Sequence, residues 1–223
     1  AIAVSHLHYD HAGGVLQADG SRAFPRAKFI AQRAEWEMAL GENPRLVASY
    51  DQPELRLVRD LGIESAADGE VEILPGVSVI PTGGHSAGHQ GVIVRGRDRT
   101  VAFFGDLFMR PWSANPKWVT AFDDFPLDSV AVKAQLFGRA ADEGWTIVLS
   151  HEPFHPVGRL LRDRDRFTFE ALVYAAAVVR VAPGRSDRVP SPTSPRSPGA
   201  RSRPSPGRRR GSHAIAIACL TIT

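Results

Sequence analysis

A chain of 223 residues with 43% hydrophobic side chains is the size of one domain, or one domain and a tail, with enough apolar material for a core. Charge is unevenly spread: residues 183–212 hold eight arginines against one acid, Asp187, a local +7 in a chain of net +3, so the remainder carries −4. The high isoelectric point therefore belongs to the C-terminal segment, which excludes reading the body as a basic nucleic-acid-binding surface. The single cysteine, Cys219, excludes a disulfide framework and a cysteine-ligated zinc site, and it fits a reducing, cytoplasmic compartment. No apolar run approaches the roughly 18 residues of a membrane span. The opening Ala-Ile-Ala-Val has neither an initiator Met nor a signal-peptide pattern, so the expected start lies upstream.

Taken in chain order, residues 1–4 read as a buried strand running into a polar, Gly-bearing loop over 5–14. Residues 28–31 read as a second strand. Residues 33–40 and 52–61 read as helices, because apolar residues recur every three or four positions. Segments 70–74, 76–80, 90–94 and 100–104 are rich in Val, Ile and Phe and bounded by Gly, Pro or Asp, as strands are. Leu127, Val130, Ala134, Phe137 and Ala141 mark one helical face, with Pro126 and Asp128 suited to its first turn. Residues 145–149 and 166–170 close the pattern as strands. Alternating strands and helices imply a layered α/β domain over residues 1–171. Residues 172–223, dominated after 180 by Pro, Ser, Arg and Gly, read as a disordered tail.

The chemistry is concentrated in a few places. Residues 6–11 read His-Leu-His-Tyr-Asp-His, directly after a strand and before Gly13 and Gly14. A lone histidine is more often structural than a ligand, but three imidazoles and a carboxylate crowded into six residues reverse that expectation. His6 and His8 on an extended loop can meet at one ion while Asp10 and His11 turn to another. Zinc favours such nitrogen and oxygen donors, and a catalytic site keeps one position open for water. His85 in Gly-Gly-His-Ser-Ala-Gly-His, Asp106 after Phe-Phe-Gly and His151 after Val-Leu-Ser each follow a predicted strand, where functional side chains gather. Ser86, between histidines, reads as a turn residue.

The order His-x-His-x-Asp-His, Gly-His-Ser-x-Gly-His, Gly-Asp and a strand-terminal His resembles the metallo-β-lactamase-fold hydrolases, over residues 1–171. The resemblance implies an αββα sandwich of two face-to-face sheets with helices outside. It implies two divalent ions, zinc first, with manganese, iron or cobalt able to fill the same donors. One would be held by His6, His8 and His85, the other by Asp10, His11 and His151, with Asp106 bridging. His89 would stand behind the ligands, and His155 and His213 would not be ligands. A metal-bound hydroxide would attack an ester, lactone or phosphotriester, with Asp10 orienting it and no serine or cysteine nucleophile. The family carries several strands ahead of its first motif, so this sequence is expected to lack most of the first sheet and, as written, not to be a competent enzyme even with every metal ligand present.

Within the superfamily, residues 24–28, 74–77 and 123–137 resemble the lactonase and organophosphate-hydrolase branch. Asp106 argues against the antibiotic-hydrolysing enzymes, which lack that bridge. Met109 stands where an acyl-homoserine lactonase would carry a substrate-orienting Tyr. Phe108, Trp112, Trp118, Phe122 and Phe125 either line an apolar substrate pocket or belong to the core. The alternatives are a mononuclear iron oxygenase of the same superfamily, or nucleic-acid binding through the Arg-rich tail. That tail lacks aromatic residues for base stacking, so a small-molecule substrate is the expected partner. Its composition also suggests out-of-frame translation of GC-rich DNA.

Overall fold

The computed structural model describes residues 1–44, 46–172 and 216–217. Three short strands, β1 (Ile2–Ala3), β2 (Phe29–Gln32) and β3 (Glu64–Ala67), run parallel in the order β1-β2-β3. Their side chains alternate between faces. Ile2, Phe29 and Ala31 pack outward under Trp36 and Ala39 of α2 (Arg33–Ala39) and Leu55 and Val58 of α3 (Gln52–Asp60). Ala3, Ile30 and Ala67 point the other way. Asp51 caps α3 by accepting from the Glu54 N–H at 3.1 Å, and Pro53 sits in its first turn.

The second sheet has seven strands: β4 (Val71–Leu74), β5 (Val77–Pro81), β6 (Gln90–Arg95), β7 (Thr100–Phe103), β8 (Thr146–Val148), β9 (Val157–Asp163) and β10 (Arg166–Ala171). They lie in chain order, antiparallel throughout except for the parallel β7–β8 pair. That exception requires a crossover, which α4 (Pro126–Asp142) provides. Val77, Val79, Val92 and Phe103 meet Ala3, Ile30 and Ala67 between the sheets. Ile80, Ile93, Ala102 and Ile147 face α4 with Leu136, Phe137 and Ala140. Helix, sheet, sheet and helix is the layering expected from sequence. A further strand, β11 (Ala216–Ile217), runs parallel beside β1. The remaining tail beyond Leu172 lies outside the described residues, and with it the expectation of disorder there. Among the described residues no helix is long and apolar enough to cross a membrane.

The α4 face differs from its sequence pattern. Leu127 is 83% exposed, whereas Ser129 and Lys133 are buried with Leu136, Phe137 and Ala140. Two close contacts involve the buried polar residues of this face. Gly84 lies so close to Ser129 that a Cβ there would meet the Ser129 Oγ at 2.5 Å. Lys133 Nζ donates to the Trp118 carbonyl at 2.6 Å. Strands β3 and β9 are absent from the sequence pattern. Glu-Ser-Ala-Ala in β3 has low strand propensity, and its pairing with β2 decides its conformation.

Candidate metal centre

Each ligand-type side chain follows the end of a strand. His6 and His8 lie on the loop after β1, and Asp10 and His11 lie in the single-turn helix α1 (Tyr9–Ala12) that follows. His85 sits in the turn between β5 and β6, Asp106 in the 3-10 turn Gly105–Phe108 after β7, and His151 just beyond β8. The first four thus come from the smaller sheet and the last three from the larger.

Their donor atoms converge. His6, His8 and His85 can each offer one nitrogen so that all lie within 4.8 Å, and so can Asp10, His11 and His151, and His6, His11 and Asp106. The Asp106 carboxylate lies between the groups: one oxygen is 3.2 Å from His11 Nε2 and 3.0 Å from His151 Nε2, the other 3.7 Å from His85 Nε2. His155 is exposed and belongs to none of these groups, and His213 lies outside the described residues.

The chemistry of this donor set fits cations. His6 Nε2 is fully buried with no hydrogen-bond partner, while its Nδ1 lies 3.0 Å from the Ser5 hydroxyl. Imidazole nitrogens face each other at 3.2 Å (His85 Nε2 and His8 Nδ1) and 3.3 Å (His151 Nε2 and His11 Nε2), where at most one proton fits between each pair. Burial, reinforced by the neighbouring imidazoles His11 and His85, pushes His6 well below its ordinary pKa, and burial with His85 brings His8 to about 4. Both are therefore neutral at pH 7. Burial also opposes ionisation of Asp106, but hydrogen bonds from His11 and His151 outweigh it and hold that carboxyl well below its usual range. His11 moves the other way. Burial lowers it, yet the contacts with Asp10 and Asp106 dominate and lift it to about 9, so these carboxylates draw positive charge to this point.

Several supporting residues carry no sequence signal. His85 Nδ1 lies 3.0 Å from Asp123 Oδ1, and Thr120 donates to the same oxygen at 2.9 Å. Glu35 on α2 accepts from the residues around His6, His8 and His85. His89 Nε2 accepts from the Asp106 N–H at 3.2 Å and its Nδ1 lies 2.5 Å from Thr82 Oγ1. Gly105, at φ 48°, brings the backbone against Ser5, where a Cβ would be only 2.4 Å from the Ser5 Cβ. Beneath the cluster the Gln90 side chain donates to the Val4 carbonyl at 2.7 Å and accepts from Gln32 at 2.9 Å, joining the two sheets.

A cavity of about 590 Å³ opens onto His8, Asp10, His85, Asp106 and His151. Tyr9, Met109, Trp112 and Phe122 supply its apolar lining. Of the five aromatics singled out in the sequence, Phe108 is core, and Trp118 packs at a tilt against Trp112 with ring centroids 6.3 Å apart.

Residues 1–151 match the model of the metallo-beta-lactamase superfamily, two thirds of the chain. The chain belongs to that superfamily. Its likeness falls in the lactonase branch. It is 36% identical over 95 residues to an N-acyl homoserine lactonase of Bacillus cereus, and 36% over 93 residues to the N-acyl homoserine lactonase AiiA of Bacillus thuringiensis subsp. kurstaki. Each match covers 42% of this chain and 32% of the relative, so the matched segment spans about a third of those lactonases. Among solved structures, the dizinc quorum-quenching lactonase AidC superposes with a TM-score of 0.69 at 17% identity, covering 77% of this chain and 64% of that one. A probable metal-dependent hydrolase of Staphylococcus aureus gives 0.68 at 23%, covering 76% and 61%. At those identities the likeness is one of fold.

Proposed function

We propose that the chain is the catalytic part of a metal-dependent hydrolase that holds two divalent ions, zinc first, and cleaves a lactone, ester or phosphotriester. The observation that carries this reading is the placement of the Asp106 carboxylate between His85 and the pair His11 and His151. His6, His8 and His85 would hold one ion, Asp10, His11 and His151 the other, and Asp106 would touch both. Bound ions would acidify a shared water and polarise the scissile oxygen.

The chain's own residues do the rest. His6 and His8 are neutral at pH 7 and ready to donate lone pairs. Asp10 is partly exposed and lines the cavity, so its carboxylate can accept a hydrogen bond from an attacking water and orient it. The Tyr9, Met109, Trp112 and Phe122 walls exclude water around an apolar substituent. Relatives named as N-acyl homoserine lactonases favour a lactone. Met109 in place of the substrate-orienting Tyr favours a lactone or ester whose carbonyl is not held by a phenol.

The test is a substrate screen on the metal-free chain reconstituted with zinc, manganese, iron or cobalt, using lactones, aryl esters and phosphotriesters. Hydrolysis that needs the metal and is abolished by Asp106→Ala supports the proposal. Oxygen consumption by an iron form without any hydrolysis would replace it with an oxygenase.

A further inference from the structure

Glu35 lies in the first turn of α2, is 0% exposed, and is not a candidate ligand. Its Oε1 accepts from the Leu7 N–H at 2.9 Å and the Tyr50 hydroxyl at 3.2 Å. Its Oε2 accepts from the Ser86 hydroxyl at 2.6 Å and the Gly88 N–H at 3.1 Å. A carboxylate has about four lone-pair sites, and here all are filled.

The sources of those donors matter more than their number. Leu7 separates His6 from His8. Ser86 follows His85 directly, and Gly88 is two residues further on. Tyr50 packs its ring against that of His8, centroids 4.9 Å apart. None of the four comes from the segments of Asp106 or His151. Glu35 thus binds the supports of one trio of imidazoles and makes no hydrogen bond to Asp10, His11 or His151. The contact is also close at the backbone: a Cβ on Gly88 would lie 2.1 Å from the Glu35 nitrogen, so the His85 loop rests directly on α2. Trp36 and Ala39 anchor α2 in the core, which makes it a fixed support.

We propose that Glu35 is a positioning residue that sets cation affinity at His6, His8 and His85 separately from affinity at Asp10, His11 and His151. This rests on the two-ion reading above. Substitution by Gln makes the reason plain. Each carboxylate oxygen faces one backbone N–H, that of Leu7 or that of Gly88, and neither can rotate away. Whichever way the amide is turned, its NH₂ meets one of them, and either Leu7 or the His85 loop must shift.

The experiment is competitive titration of zinc into the full metal-free chain against a chromophoric chelator, repeated with cobalt to read its visible bands. The wild type should take up two equivalents. Glu35→Gln should weaken one of them about 10–100-fold, the usual effect of losing support behind a ligand, and leave the other unchanged. Adding His151→Ala to Glu35→Gln should then remove the equivalent that remained tight. Fewer than two wild-type equivalents would defeat the two-ion reading and this inference with it. Two wild-type equivalents with no change, or an equal loss of both, in Glu35→Gln would overturn the inference alone. If Glu35→Gln does not fold, Ser86→Ala and Tyr50→Phe each remove a single donor and should show the same one-sided weakening at smaller amplitude. Wild-type binding in both would overturn it.

Discussion

Asp123 accepts a hydrogen bond from His85 Nδ1 across 3.0 Å, linking the loop before α4 to the turn between β5 and β6. Burial opposes ionisation of Asp123, but the bonds from His85 and Thr120 hold its pKa below the ordinary value. An ionised Asp123 can only accept, so the His85 proton sits on Nδ1 and the Nε2 lone pair is directed at the cluster. Asp123→Ala frees both the ring and its tautomer. Zinc affinity should fall about 10–100-fold, with Asp123→Asn intermediate because its amide oxygen can still accept. Calorimetric titration of zinc into each variant reads this directly, and wild-type affinity in Asp123→Ala would contradict it.

Asp106 contacts His11, His151 and His85 at once, so no single neighbour can replace it. Asp106→Ala should lower the metal content of protein purified without chelator and reduce hydrolysis by at least the upper end of that range, about a hundredfold. Metal analysis and rate are measured on the same sample. Full occupancy with full activity would remove Asp106 from the centre.

Phe122 lines the cavity yet is 76% exposed in the free protein, so a bound substrate would cover it. Burying a phenylalanine side chain is worth roughly 1.5–3 kcal/mol, or about 10–100-fold. Phe122→Ala should therefore raise KM for an apolar substrate by that factor and leave kcat nearly unchanged, the pattern of lost uniform binding. A fall in kcat at constant KM would place Phe122 in catalysis instead.

Lys133 is buried on α4, and burial, partly offset by Asp123, brings its ammonium down to about 8. In the unfolded chain a lysine titrates near 10.4. Below about pH 8 both states are charged, and the folded one bears the whole cost of the buried charge. Between the two pKa values the unfolded state holds more protons, so this group's contribution grows more favourable as pH rises. Relative to Lys133→Met, the wild type should gain on the order of 2–3 kcal/mol between pH 7.5 and 10.5. Parallel denaturant melts at the two pH values check it, and a constant difference would show that Lys133 stays charged in the fold with an unshifted pKa.

The seven ligand-type residues were visible in the sequence because they lie in short motifs at strand ends, where local spacing carries the signal. Apart from His89, their supports were not. Glu35 meets Leu7 28 residues away and Gly88 53 residues away, and Asp123 meets His85 across 38. Such pairs exist only once the sheets are stacked. Ser86, which reads as a turn residue, also donates to Glu35, a contact no local pattern shows. The same limit accounts for α4: its apolar periodicity selected a stripe through Leu127, while the fold brings Ser129 against Gly84 and Lys133 to the Trp118 carbonyl. Strand β9 was hidden by its charged residues Arg159, Arg162 and Asp163, and its pairing with β10 forms it.

His6, His8, Asp10 and His11 hang from one sheet, and His85, Asp106 and His151 from the other. Ions seated among them would rivet the two layers together, and neither layer could move away without breaking coordination. Catalyst and fastener would be the same atoms. Free zinc at a thousand times its dissociation constant would add about 4 kcal/mol to the folded state, a large share of what holds a domain of this size together. The supply of metal in the surroundings would then govern how long the folded chain persists as well as how fast it turns over.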